Sequence, residues 1–272
     1  MLLLGLSLGV ALGLGLCATR AAAADATPSP SPESVASAKA LDQDGSSDGE
    51  SPRAPESPEP PESSDAPKLS TAGDVTLASR YLFQGLDYSE GRTVLQPNFV
   101  VGFGAFSAVA WANFQPDLGD VNEIDLSVKY SRSIRRLSIA PGYTYLHYPN
   151  REGWDPSQEL FVDLGVTAPL SPSLSLHYDF DAGQGLYATM AVSQTLRSPL
   201  TAGVNLFYQS GYYEMTGVPA MELKASAAWS LQDVSVTPSI SRFLTWRNGD
   251  FRDEAAVPST WLFSINVARP LF

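Results

Sequence analysis

From Gly73 to the C-terminus the chain is written in about a dozen segments of roughly 9 to 14 residues that alternate apolar with polar or small side chains, divided by Gly, Pro, Asn, Asp and Ser. A period of two is the signature of a strand with two unlike faces, and no helix-period segment of consequence interrupts it. The cleanest case is EIDLSVKYS, where Ile124, Leu126, Val128 and Tyr130 point one way and Glu123, Asp125, Ser127, Lys129 and Ser131 the other. ELFVDLGV sets Leu160, Val162, Leu164 and Val166 against Glu159 and Asp163, and MELKASAAWSL sets Met221, Leu223 and Trp229 against Glu222 and Lys224. The pattern predicts strands over 73–85, 94–103, 105–115, 121–132, 136–148, 157–168, 173–182, 185–197, 200–210, 219–231, 233–246 and 259–272.

A soluble sandwich also alternates, so three further features choose between the two. The segments have the nine to eleven residues that a tilted strand needs to cross a bilayer. The connections alternate in length: tight at FGAF, RSIRR, PLSPS, RSPL and QDV, and mostly longer at LDYSEGRT, QPDLGDV, PNREGWDPS, SGYYEMTGVP and RNGDFRDEAAVP, with AGQG the exception. Aromatic residues gather where strands meet the longer loops: Tyr81, Phe83, Phe114, Tyr145, Tyr148, Tyr178, Phe180, Tyr208, Phe243, Trp246 and Trp261, read as one membrane-interface girdle. The expected fold is all-β, a single-chain antiparallel transmembrane β-barrel of about 12 strands. Its even count puts both ends of the barrel chain on the short-turn side.

Residues 1–24 have the layout of a secretory signal, an apolar run followed by a small-residue patch, although no Lys or Arg precedes the run. Cys17, the single cysteine, lies in that run, so the body of the chain has no thiol chemistry. Residues 25–72 are Pro, Ser, Ala and acidic residues with no aromatic side chain, a composition that favours a disordered, extended linker. The barrel is assigned to 73–272. With 17 basic against 29 acidic side chains and a net charge of −12, no nucleic-acid partner is expected. The expected location is the outer membrane of a Gram-negative-type bacterium with the linker in the periplasm. The expected partners are outer-membrane lipid, small solutes and the barrel-assembly machinery, whose recognition signal a terminal Phe272 resembles.

Lumen-lining candidates follow from the alternation: Arg80, Glu123, Asp125, Lys129, Glu159, Asp163, His177, Asp179, Asp181, Glu222, Lys224 and Arg242. With two histidines, His147 and His177, there is no multi-His zinc pattern, and no metal or cofactor is expected, although His177, Asp179 and Asp181 leave a cation site open. No phosphate-binding glycine loop is present. Ser175, His177 and Asp179 share one face, but same-face neighbours lie about 6.8 Å apart along a strand, so a hydrolytic triad is not expected. The external loops are short, and the expectation is that they do not fold far into the lumen.

The segments ASRYLFQGLDYSEGRTVLQPNF, EIDLSVKYSRSIRRLSIAPGYTYLHYPN, QELFVDLGVT, LSPSLSLHYDFD and GLYATMAVSQ resemble the outer-membrane porins often labelled TorF-like, over nearly the whole folded part. The resemblance implies an outer-membrane barrel with a passive transport role and supplies no substrate or binding residues. Three functions remain open: a narrow diffusion channel for small hydrophilic solutes, a structural or adhesive barrel with a filled lumen, and an outer-membrane lipid hydrolase.

Overall fold

The computed structural model describes residues 68–246, 251 and 259–271. The signal segment, residues 25–67 of the linker and Phe272 lie outside the described residues. Twelve long strands follow one another in chain order: β1 (Leu69–Ala78), β2 (Val94–Phe103), β3 (Phe106–Gln115), β4 (Asp120–Tyr130), β5 (Leu137–His147), β6 (Ser157–Val166), β7 (Ser173–Asp179), β8 (Gly185–Arg197), β9 (Leu200–Tyr212), β10 (Ala220–Ala227), β11 (Val234–Thr245) and β12 (Trp261–Pro270). Each pairs antiparallel with the next, and β1 pairs with β12 from Ala72 opposite Pro270 to Ala78 opposite Ser264, so the sheet closes without an edge. Short pieces extend two of the strands: Arg132–Ile134 continues β4 against β5, and Trp229–Leu231 continues β10 against β11. Closure pairs each long strand on both sides, the condition under which strands cross a membrane.

The alternation now has a direction. On β4, Leu126 and Val128 are half exposed on the outside, while Asp125 is buried on the inside. Val75 and Leu77 on β1, Leu160 on β6, Ile240 on β11 and Phe263 and Ile265 on β12 repeat this outward, exposed apolar pattern. Exposed Val, Leu and Phe on every side of a monomer would be costly in water and are what a lipid-facing wall requires. A charge placed there is expected to be punished: Val128→Arg should lower the unfolding free energy of the protein in vesicles by about 2–4 kcal/mol. The same change at inward Ser127 should cost much less, and equal urea midpoints for the two variants would contradict this assignment of faces.

The tight connections form one rim. Gly104, Arg135 and Gln232 each take a positive φ there, at 59°, 56° and 54°, the left-handed residue a tight hairpin needs. The described longer connections form the opposite rim.

Both ends of β1 differ from the sequence expectation. β1 starts at Leu69 rather than Gly73, because Leu69 to Ala72 complete the ladder against Val100 to Phe103, and backbone pairing does not need large side chains. β1 also ends at Ala78 rather than at residue 85, which hands seven residues to the first long connection.

That connection, residues 79–93, does not stay outside. Leu82–Phe83 and Leu86–Asp87 form a small hairpin, and Tyr81, Leu82, Phe83 and Gln84 are almost completely buried. The expectation that the loops are too short to enter the lumen is therefore overturned, and the extra residues released by the early end of β1 are the reason.

Candidate functional site

The first loop crosses the lumen just inside the long-loop rim. The Tyr81 ring lies 5.7 Å from that of Trp111 on β3, and Phe83 meets Tyr187 on β8 edge-on at 5.5 Å. At the tip Gln209 Nε2 of β9 donates to Gln84 Oε1 at 2.7 Å. Gly85, with φ +85°, passes so close to Ala220 of β10 that an added Cβ would meet that methyl at 2.5 Å. The loop is braced within itself: Arg80 pairs with Asp87 at 3.1 Å, and Ser89 Oγ donates to Asp87 and accepts from the Tyr81 amide. Arg151 of the third long loop donates to the Tyr88 carbonyl at 2.7 Å and covers the Trp154 ring at 4.6 Å. Burial first, and then the carboxylates below, push the phenols of Tyr81 and Tyr148 well above their usual range, so both remain neutral donors. Tyr148, Phe207, Tyr212, Phe243 and Phe251 complete this apolar layer.

Four girdle expectations are thereby corrected. Tyr81, Phe83, Tyr148 and Phe243 face inward and pack on one another's neighbours, because the loop that carries the first two folds in and β11 turns Phe243 to the lumen. Tyr145, Tyr178, Phe180, Trp246 and Trp261 are exposed, and Phe114 and Tyr208 take outward positions on their strands. A second aromatic set, which sequence reading did not single out, lies at the tight-turn rim: Phe103, Phe106, Tyr130 and Trp229, with Phe106 and Tyr130 rings 5.0 Å apart.

Below the loop the lumen wall is acidic. Seven carboxylates are buried inside the barrel: Asp74, Glu123, Asp125, Glu159, Asp163, Asp179 and Glu222. Most are held by neutral donors. Asp74 accepts from Asn98 and Asn266, both at 2.8 Å, and Glu222 from Asn205 at 2.7 Å. Asp179 takes both contacts of the Ser157 hydroxyl and the Asp181 amide.

The longest chain of hydrogen bonds runs along β6 and β7. The Ser175 hydroxyl donates to Asp163 at 2.6 Å and sits 3.0 Å from His177 Nε2, while His177 Nδ1 lies 3.1 Å from Glu159, which also accepts from Tyr187 at 2.8 Å. Gly142 makes room for this: a Cβ there would strike the Phe161 ring, which stacks on His177 at 5.2 Å, opposite Tyr187 at 4.5 Å.

Ser175, His177 and Glu159 thus stand in the order of a hydrolytic triad, against the expectation that strand spacing keeps serine and imidazole apart. Side chains lean along the strand, and that lean closes the gap. The chemistry is nevertheless wrong for a nucleophile. A hydroxyl has one proton, and giving it to Asp163 leaves Ser175 as the acceptor toward His177, the reverse of general-base activation. Strand N–H groups around it are committed to the ladder, so none is aimed at a developing oxyanion.

Among the described residues no Lys or Arg comes within ion-pair distance of any of the seven carboxylates; the pairs formed are Arg80–Asp87, Arg92–Glu90, Arg92–Asp117 and His177–Glu159. Lys129 and Lys224 occupy inward positions nearer the tight-turn rim and are partly exposed. Three lumen expectations need correction. Arg80 belongs to the inserted loop rather than the wall. Asp181 lies exposed beyond the end of β7 and accepts from Gln158 at 3.0 Å. Arg242 faces outward over Trp261, with its guanidinium carbon 5.2 Å from the ring centroid, because Ser241 and Leu262 take the inward positions of that pair of strands.

Sequence reading missed Asp74, although Val75 and Leu77 against Asp74 and Thr76 carry the signal. It also missed an amide ladder, Gln96 to Asn113 at 3.1 Å and Asn113 to Asn122 at 2.8 Å. A bulge between Asn113 and Phe114 turns both Asn122 and Glu123 inward, which strict alternation cannot anticipate.

Apart from Lys129 and Lys224, inward residues of the tight-turn half are mostly small and partly exposed, among them Gly102, Ser107, Ser127, Gly165, Gly203 and Thr237. The lumen is thus a cup, accessible from the tight-turn rim and filled at the other end by the first loop.

A closed barrel with an apolar outside, aromatic rims and a polar inside is a transmembrane β-barrel. No family model matches the sequence, and no curated protein matches it. Two solved structures are similar to this chain: a NanC porin, 16% identical, covering 73% of this chain and all of its own with a TM-score of 0.49, and an outer-membrane channel from Pseudomonas putida F1, 10% identical, covering 76% of this chain and 98% of its own with a TM-score of 0.43.

Proposed function

We propose that the protein is a narrow, cation-preferring channel of the bacterial outer membrane for the diffusion of small hydrophilic solutes, with the first loop as its constriction. The observation that carries this is the acidic lumen: seven buried carboxylates, none in an ion pair with Lys or Arg among the described residues. Fixed carboxylates concentrate cations and repel anions in a low-dielectric passage. The quoted segments that resemble the TorF-like porins support the same reading, as does the water-accessible half of the lumen. Location in the outer membrane, with the tight-turn rim and the N-terminal linker on the periplasmic side, belongs to this proposal.

The test is the reversal potential of single refolded channels in a salt gradient. The expected result is a cation-selective potential that moves toward zero when Asp74, Asp163 and Glu222 are replaced by Asn, Asn and Gln. An anion-selective potential, or one unchanged in the triple variant, would overturn it.

One observation favours a second reading, a structural barrel with a filled lumen: the inserted loop and its aromatic partners leave the long-loop rim packed with buried side chains. A folded barrel that stays silent in bilayers even after the loop is removed would favour that reading.

A further inference from the structure

Three neighbouring positions on the β2–β4 wall carry buried polar atoms that satisfy neither one another nor anything else. Asn98 is opposite Trp111, and Trp111 is opposite Asp125, so the three form one row across adjacent strands. Asn98 Oδ1, Trp111 Nε1 and Asp125 Oδ1 each lack a hydrogen-bond partner, and Glu123, two residues above Asp125 on the same face, has the Tyr81 phenol beside it yet keeps Oε1 without a partner. Trp111 and Glu123 are 3% and 2% exposed. Leaving such groups unpaired in a buried place is costly, more so when the group is charged, so a cluster of four on one wall marks a place built for a further body.

The unmet needs define that body. Three oxygens want donors, two of them on carboxylates, and one indole N–H wants an acceptor. A primary ammonium carries three N–H donors and one positive charge, and an oxygen on the adjacent carbon supplies the acceptor. Tyr81, whose ring faces that of Trp111, adds an aromatic wall of the kind that attracts an ammonium. A bare metal ion would satisfy the oxygens and leave the indole unpaired, and no three His, Cys, Asp or Glu converge to hold one among the described residues. The protein's own cations are otherwise engaged: Arg151, whose charge reaches Glu123, is bound to the Tyr88 carbonyl, and Lys129 lies four residues down the strand from Asp125.

We infer that Asn98, Trp111, Glu123 and Asp125 form a binding site for a hydroxylated primary amine, reached from the open half of the lumen beneath the first loop. This rests on the cation-preferring channel reading, since the amine is then one of the solutes that the channel passes.

The experiment is calorimetric titration of the refolded full chain in detergent with ethanolamine. Ethylamine, tetramethylammonium, ethylene glycol and Mg²⁺ serve as comparison probes. Saturable ethanolamine binding is expected, weaker for ethylamine, which lacks the oxygen, and absent for tetramethylammonium and ethylene glycol. Asp125→Asn and Glu123→Gln keep the side-chain shape and are each expected to weaken ethanolamine binding about tenfold or more, the effect of removing one partner of a buried charged contact. Trp111→Phe is expected to abolish the preference for ethanolamine over ethylamine while binding of both persists. Absence of saturable binding, binding unchanged in Asp125→Asn, or tighter binding of Mg²⁺ at the same residues would each overturn the site. Cation-selective conductance without amine binding would sink this inference and leave the channel intact; amine binding by a silent barrel would do the opposite.

Discussion

A reducible bridge between Gln84→Cys and Gln209→Cys, made by a bis-thiosulfonate reagent long enough to stand in for two glutamine side chains and so oxidise both thiols to mixed disulfides, is expected to silence the channel reversibly. The two amides meet at 2.7 Å at the point where the first loop touches the far wall, and both side chains are buried, so a crosslink there holds the loop in the position seen. The chain's single native thiol, Cys17, is far away in sequence within the N-terminal apolar run, and replacing it leaves the engineered pair alone. Conductance should fall to baseline on oxidation and return on reduction. The open state should also be a minority. Withdrawing the loop uncovers Tyr81, Leu82 and Phe83, and each large apolar side chain moved into water costs about 1.5–3 kcal/mol. Weakening the anchor shifts that balance, so Phe83→Ala, which loses its contact with Tyr187, should raise the open fraction severalfold without changing ion selectivity. If the oxidised and reduced forms conduct equally, solutes pass the loop as it stands, and the constriction lies elsewhere.

The loop also marks the limit of what alternation reveals. Strand existence, faces and closure were legible because a period of two is a local property. EIDLSVKYS places Asp125 and Leu126 on opposite faces whatever the rest of the chain does. Where β1 ends was not legible, since VTLASRYLF continues to look like a strand past Ala78. Only the competition between pairing with β12 and burying Tyr81 and Phe83 against Trp111 and Tyr187 settles it, and those residues are distant in sequence. The same holds for the aromatic residues. A Tyr or Phe at a strand end satisfies either an interface girdle or a lumen plug, and composition does not distinguish them. The inward carboxylates were visible as a list, but not their division into satisfied and unsatisfied members. That division depends on cross-strand neighbours such as Ser175 beside Asp163, and on the bulge that puts Asn122 on the inward face next to Glu123.

Glu159 is expected to be the most costly lumen side chain to remove. It is fully buried, and its two oxygens take His177 Nδ1, the Tyr187 hydroxyl at 2.8 Å and, more loosely, the Tyr212 hydroxyl at 3.4 Å. It therefore ties β6 to β7, β8 and β9 at once. Glu159→Ala removes the partner of the buried His177 Nδ1 and the acceptor of the Tyr187 hydroxyl, and breaking a buried charged contact by removing one partner costs about 3–5 kcal/mol. Ser175→Ala, one link further along the same chain, removes a neutral hydroxyl and should cost about 1 kcal/mol. Glu159→Gln keeps an acceptor oxygen and the side-chain volume, and should fall between them. Urea unfolding of the refolded protein in micelles measures all three, provided the slopes agree, so that midpoints report stability rather than a change in the surface exposed. If Glu159→Ala were no worse than Ser175→Ala, the hydrogen-bond chain would be an ornament on a wall held by its backbone ladder, and the aromatic layer above it would carry the cohesion of the lumen alone.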